Sequence, residues 1–253
     1  MTHALILLML APLAPAPQAT TMADEIKREE ARGHYRTGER LMTEEAFEAA
    51  VREFGTAGDL DPMFVLAHYS KGQALMALKR YPEAVEAYTD ARQTILQMST
   101  MDQKAKAEYE RQRRDEINDL EDSLQRLRAG KIKGASPGTD INIEQRLRFL
   151  REAQMRGAET DVRIPAELSL ALGSAHFRLG RLEDAERHYR AAIESDQKLG
   201  AAHNNLAVIC MLTGRFDEAK LEVKAAEKAG FAVSPRFKDD LKEREKAAKK
   251  AQK

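Results

Sequence analysis

The sequence predicts an all-α chain built from stacked helical pairs, and three observations carry that prediction. Small residues recur at a 34-residue step, Ala50 to Ala84 and Ala185 to Ala219. Other places keep the same register: Gly38 with Gly72, Gly173 with Ala207, and the bulky residues Phe47 with Tyr81 and Leu182 with Phe216. Inside each unit the apolar residues follow helical spacing, as Phe47, Ala50, Val51 and Phe54 do at i, i+3, i+4 and i+7. A period of this length marks units that cannot bury an apolar face alone and must stack on their neighbours. Chains of this kind bind partners and rarely catalyse.

Composition bounds the class. The chain has 253 residues, 43% hydrophobic and 32% charged, as suits a soluble helical protein with a solvated exterior. Its 41 basic and 41 acidic residues cancel, so no net field draws the whole molecule to nucleic acid or an anionic membrane. A single cysteine, Cys210, excludes an intramolecular disulfide and a multi-thiolate metal site. It lies in the apolar run LAVICML, where a buried thiol acts as a small hydrophobe.

Taken in order, residues 1–19 are expected to be a signal peptide. An apolar run from Ala4 to about Ala14 precedes a stretch rich in proline and small residues. Pro12, Pro15 and Pro17 cut that run short of the roughly 20 apolar residues a membrane span needs. The expected setting is therefore periplasmic or extracellular, with an uncleaved start and a cytoplasmic location as the alternative, and with no stable membrane span in the mature chain.

Residues 24–98 hold two units. The first, Ala31 to about Phe64, places Tyr35, Leu41 and Met42 on one helix and Phe47 to Phe54 on the next, with Thr43 as the expected N-cap of the second. Asp61-Pro62 ends it. The second unit repeats the plan with Gly72, Leu75, Tyr81, Ala84, Tyr88 and Ala91. Residues 165–233 hold two more, with Leu172, Gly173, Gly180, Leu182, Ala185, Tyr189 and Ala192, then Leu206, Ala207, Gly214, Phe216, Ala219 and Ala226.

The insert, residues 99–164, is about as long as two units but does not read as two decayed ones. Continuing the register places Lys106, Asn118 and Gln125, then Asp140, Glu152 and Glu159, where helices would have to cross closely. It carries instead two apolar stripes, Ile117, Leu120, Leu124 and Leu127, then Ile143, Leu147 and Leu150, around the breaker KIKGASPGTD. Such stripes predict a coiled-coil-like helical hairpin, with the charged run MDQKAKAEYERQRRDE extending the second unit as a solvated helix and a chain turn near Gly157. Residues 234–253 read as a capping helix with a basic tail, in which Pro235 suits the first turn and Phe237 and Leu241 cover the last unit.

The pieces YPEAVEAYTDA, GRLEDAERHYRAAI and GRFDEAKLEVKAAEKAG resemble the tetratricopeptide repeat, two antiparallel helices per unit with a small residue at the close crossing. The likeness covers about 135 residues over four units, counted on the sequence. Departures are His34, His68, Ser169 and His203 where an early aromatic is usual. The resemblance implies an α-solenoid of two repeat pairs whose first helices line a concave groove that binds a protein or peptide partner. Carried over residue by residue, the groove places are Tyr35, Glu39, Met42, Tyr69, Gln73, Met76, Leu170, Ser174, Phe177, Asn204, Val208 and Met211. Some family members grip a C-terminal carboxylate with basic residues and asparagines. Here only Asn205 resembles such a residue, and Glu39 would repel a carboxylate.

No cofactor, metal or catalytic constellation is expected. The chain lacks HExxH and a phosphate-cradling glycine loop. His34, His68 and His203 share one place in different units, and helices packed about 8–10 Å apart hold such side chains too far apart for zinc, which needs its nitrogens within about 2.1 Å. His176 and His188 are read as surface or groove residues. The reading is a noncatalytic interaction scaffold of the cell envelope. The alternative is a structural role in which the insert's stripes pair with a second copy into a homo-oligomer.

Overall fold

The computed structural model describes residues 22–99, 103–131, 139–156 and 164–251. These residues form eleven helices and no strand: α1 (Met22–Thr43), α2 (Phe47–Leu60), α3 (Val65–Ala77), α4 (Tyr81–Ser99), α5 (Gln103–Arg128), α6 (Thr139–Arg156), α7 (Ala166–Arg178), α8 (Leu182–Ser195), α9 (Gly200–Leu212), α10 (Phe216–Lys228) and α11 (Pro235–Ala251). Among the described residues no helix is long and apolar enough to cross a membrane. The expected signal peptide, most of the breaker and the turn near Gly157 lie outside the described residues.

One backbone device makes the turn in every pair. Glu45, Lys79, Gly180 and Gly214 adopt φ of 57°, 60°, 72° and 77°, and the next residue returns its N–H to the carbonyl five residues back. These bonds, Ala46 to Leu41, Arg80 to Leu75, Arg181 to His176 and Arg215 to Cys210, span 2.8–3.0 Å. This left-handed closure satisfies carbonyls that a helix end would otherwise leave open. It also corrects the role of Thr43, which donates its hydroxyl back to the Arg40 carbonyl at 2.7 Å and closes α1. The N-cap of α2 is Ala46, without a side-chain cap. Glycine suits the left-handed residue best, and the first two units carry Glu45 and Lys79 there instead.

The two helices of a pair cross where a ring lies on a bare backbone. A Cβ added to Gly38 would meet the Phe54 ring at 2.6 Å and one added to Gly173 would meet Tyr189 at 2.6 Å, while Gly72 is crowded in the same way by Tyr88. In the fourth pair Ala207 takes the glycine place and Val223 the ring place, a methyl matched to a smaller partner. Small residues on the second helix, Ala50, Ala84, Ala185 and Ala219, are fully buried beside these contacts.

Pairs then stack: α2 on α3, α4 on α7, and α8 on α9. The packing of α4 against α7 joins the second and third pairs directly, so α5 and α6, which pack on one another, stand outside the stack. From Gln103 onward the charged run lies in α5. Ile117, Leu120 and Leu124 of α5 and Ile143, Leu147 and Leu150 of α6 are buried in the same core as Tyr35, Tyr69 and Leu168. The hairpin therefore closes onto the repeats of its own chain. In α5 the Glu116 side chain has one carboxylate oxygen buried without a hydrogen-bond partner. Burial pushes its carboxyl up to about 8, against the lowering effect of Arg32 and Arg113 and with Asp119 and Asp61 raising it further. At the far end Leu241 of α11 is buried and Phe237 packs on the fourth pair's core, while Lys220 meets Glu245 at 2.7 Å.

This packing is testable at a helix crossing and at the hairpin. Gly173→Ala gains up to about 1 kcal/mol of helix propensity but must displace Tyr189, at an overpacking cost of about 1–3 kcal/mol. Gly55, with nothing within 4 Å of its added Cβ, accepts the same change freely. Thermal melts are expected to show Gly173→Ala lowered and Gly55→Ala raised; a stabilised Gly173→Ala would reject the crossing argument. For the hairpin, the raised native pKa of Glu116 means that docking is supported fully below the ordinary value of 4.5 and loses this support as pH rises through about 8. Amides of α5 and α6 should lose protection relative to α9 between about pH 6 and about pH 9 in hydrogen exchange, and Glu116→Gln should remove the difference. Equal pH dependence in the variant would exclude Glu116 as its source.

Candidate functional site

All of the expected groove residues except Asn204 and Val208 fall into three groups. Tyr35 and Glu39, on α1, are covered by α6. Arg146, whose side chain is 7% exposed, forms an ion pair with Glu39, sets its guanidinium 5.8 Å from the centre of the Tyr35 ring and donates from Nη2 to Ser70 Oγ at 3.5 Å. Tyr35 itself packs on Phe54 and Phe64, with ring centres 5.5 and 4.9 Å away. A guanidinium held by a carboxylate and a ring face is matched in charge and in shape. Removing one partner from so buried a pair typically costs about 3–5 kcal/mol.

Tyr69, Gln73, Leu170 and Ser174 are brought together. They line one cavity of about 450 Å³ between α3 and α7, closed at its sides by Tyr88 of α4 and Phe231 after α10. Ser174 is oriented by a bond from its hydroxyl to the Leu170 carbonyl at 2.9 Å and receives the Tyr189 hydroxyl at 3.5 Å. Tyr69 is buried against Tyr88, ring centres 5.6 Å apart, and burial raises its phenol, with the charge of Glu167 acting in the same direction.

Met42, Met76, Phe177 and Met211 form the third group. Each gives its carbonyl to the left-handed residue of its own turn, at 2.9–3.2 Å. Met42 and Met76 are half-buried on the first core and Phe177 on the second, while Met211 is buried. Asn204 and Val208, both half-buried on α9, do not line the cavity.

Sequence reasoning missed Glu167, Arg148 and Lys198, which also line the cavity. Glu167 is 8% exposed, and neither of its carboxylate oxygens has a hydrogen-bond partner among the described residues. A partial signal was available: its register equivalents are Arg32, Leu66 and Ala201, so a carboxylate stands where two of the three other units carry an apolar side chain.

The histidines take structural positions. His34 and His203 bond a carboxylate 19 residues on, Glu53 at 2.7 Å and Glu222 at 2.6 Å. His68 and His203 bond the carbonyl six residues back, Pro62 at 3.1 Å and Gln197 at 3.2 Å. His176 is buried between α7 and α8 rather than on the surface, stacked on His188 at 5.3 Å. Burial lowers both rings, His188 to about 4. Among the described residues no group of three or more His, Cys, Asp or Glu side chains is placed to hold a metal ion. Cys210 is fully buried, and burial lifts its thiol to about 11.

The tetratricopeptide-repeat family profile matches residues 28–95 and 170–230, just over half of the chain. No curated protein matches the sequence. Among solved structures, YrrB, described as a TPR protein with an unusual peptide-binding site, is 20% identical over 85% of this chain and 93% of its own, with a TM-score of 0.27. A thermophilic TPR protein of Thermus thermophilus, TTC0263, is 19% identical over 86% and 98%, with a TM-score of 0.34. The TPR2AB domain of yeast Sti1, in a complex with pHSP90, is 13% identical over 89% and 99%, with a TM-score of 0.27. The assignment rests on the residues that the family profile covers and on the four repeated pairs, not on these superpositions. The chain belongs to the tetratricopeptide-repeat family.

Proposed function

We propose that the protein is a noncatalytic scaffold that holds a partner peptide or helix along the first helices of its third and fourth pairs, α7 and α9. A tetratricopeptide-repeat fold is a protein–protein interaction scaffold. The observation that carries the finer reading is the division of the first helices into a covered half and an open half. Over α1 and α3, α6 already occupies the surface through Arg146. Beside it, Gln73, Leu170 and Ser174 border a cavity, and Phe177, Asn204 and Val208 are half-buried. Apolar side chains with a few amides suit a partner helix or extended peptide laid in a groove.

The oligomerisation reading has less to work with. The stripes that would pair two copies, Ile117, Leu120, Leu124, Ile143, Leu147 and Leu150, are buried against the chain's own repeats. An exported setting belongs to the same proposal and is supported by the apolar run from Ala4. Recovery of a chain beginning near Thr20 from the periplasmic or secreted fraction tests it.

The groove itself is tested by capture. The chain from Thr20 onward, immobilised, is challenged with envelope extract beside a Phe177→Ala/Val208→Ala variant. The variant should retain its partner about tenfold less, the loss expected of truncated interface anchors, with helicity by circular dichroism unchanged. Equal retention by both proteins would overturn the groove reading.

A further inference from the structure

The cleft that Arg146 fills has a neighbour of related chemistry that nothing fills among the described residues. In the first cleft Tyr35 and Glu39 of α1, with Ser70 of α3, hold a guanidinium supplied by α6. One unit further along, Tyr69 takes the place of Tyr35, and the carboxylate comes from the other wall, Glu167 of α7. Glu167 is 8% exposed, and neither of its oxygens has a hydrogen-bond partner among the described residues. A carboxylate buried without a cation or a hydrogen bond is unfavourable, and a cation entering the cavity would remove that cost.

We propose that this cavity takes an arginine side chain of the partner, its guanidinium on Glu167 against the tyrosine wall formed by Tyr69 and Tyr88, with acidic residues flanking that arginine at the rim. The proposal rests on the groove reading above and specifies its partner. The depth of the charges decides the sign. Glu167 is buried, whereas Arg148 and Lys198, the cations that also line the cavity, are exposed and solvated. The rim therefore suits carboxylates and the interior suits a cation. The ring faces favour the planar guanidinium over an ammonium. A volume of about 450 Å³ lies within the range of about 300–1,000 Å³ usual for small-ligand sites, room for one arginine and the backbone that carries it.

The test titrates the full chain with acetyl-Glu-Arg-Glu-amide and with the same peptide carrying citrulline, which keeps the shape and loses the charge. Binding is followed by NMR chemical shifts. The arginine peptide should bind, and citrulline should weaken it about tenfold or more, as expected for loss of a charge-assisted hydrogen-bonded pair. Glu167→Gln should weaken the arginine peptide by a similar factor while leaving the melting temperature of the free protein unchanged or raised. A carboxylate that serves only the first turn of α7 predicts a lowered melting temperature instead. Arg148→Ala should weaken binding by no more than about fivefold, the value of an exposed charge.

Absence of shifts at millimolar peptide, equal binding of the citrulline peptide, or binding that survives Glu167→Gln each overturns the proposal. So does a gain of about tenfold in Arg148→Ala, which would make Arg148 the cavity's own occupant. If any of these occurs while Phe177→Ala/Val208→Ala still loses partner capture, the groove reading stands and only its arginine specificity falls.

Discussion

The first three units depend on one contact, a ring of the second helix lying on the backbone of the first. Phe54 on Gly38, Tyr88 on Gly72 and Tyr189 on Gly173 bring each pair of helices close enough for the buried alanines beside them to pack. The contact is unforgiving because a close-packed interior has no slack to absorb an added methyl. The fourth pair reaches the same closeness with Ala207 and Val223, each a step away from the glycine–ring solution in opposite directions. Volume is thus conserved across the crossing while identity is not, so the repeat is a constraint on pairs of residues more than on single ones.

Once the crossings fix each pair and the left-handed turns fix its reversal, the stack follows, and its first helices share a side. What differs between units is what covers that side. Arg146 brings a guanidinium to α1 and α3, with the apolar stripes of α5 and α6 burying themselves around it. Lys220 and Glu245, with Leu241, seal the opposite end. Between these covers the chain leaves a cavity whose deepest charge is an unpaired carboxylate. A buried charge is kept against its own desolvation only where something offsets it, and here that something is not supplied by the described residues.

The crossings, the pairs and the capping helix were legible in the sequence because they rest on periodic properties, small size every 34 residues and apolarity every three or four. Ile117 to Leu150 showed an inward face for the same reason. Where that face docks was not legible. Its marker, Arg146, is one arginine among several on α6, Arg148 and Arg151 close by, and periodicity assigns a charged residue to solvent. Thr43 failed differently: its residue type suits an N-cap, but the turn is governed by the left-handed residue at Glu45, which carries no sequence mark. His176 reads as a surface or groove residue, yet the helix pair buries it against His188. Glu167 was legible only in part, since an acid departs from Leu66 and Ala201 at the same place while the first unit carries a charged Arg32 there. Reading it required asking what a broken pattern costs.

That cost distinguishes the two clefts. In the first, the carboxylate and the guanidinium are on the same chain, at Glu39 and Arg146, so the pair forms at high effective concentration and the surface it occupies is withheld from other molecules. In the second, no counter-charge to the carboxylate comes from the described residues, so a partner cation that satisfies it must bear the full entropy of association. The same recognition chemistry therefore has two consequences on one scaffold. Intramolecular pairing fixes the hairpin over α1 and α3, and the unpaired site beside it stays selective, because only a ligand that brings a buried positive charge recovers the free energy that Glu167 forgoes.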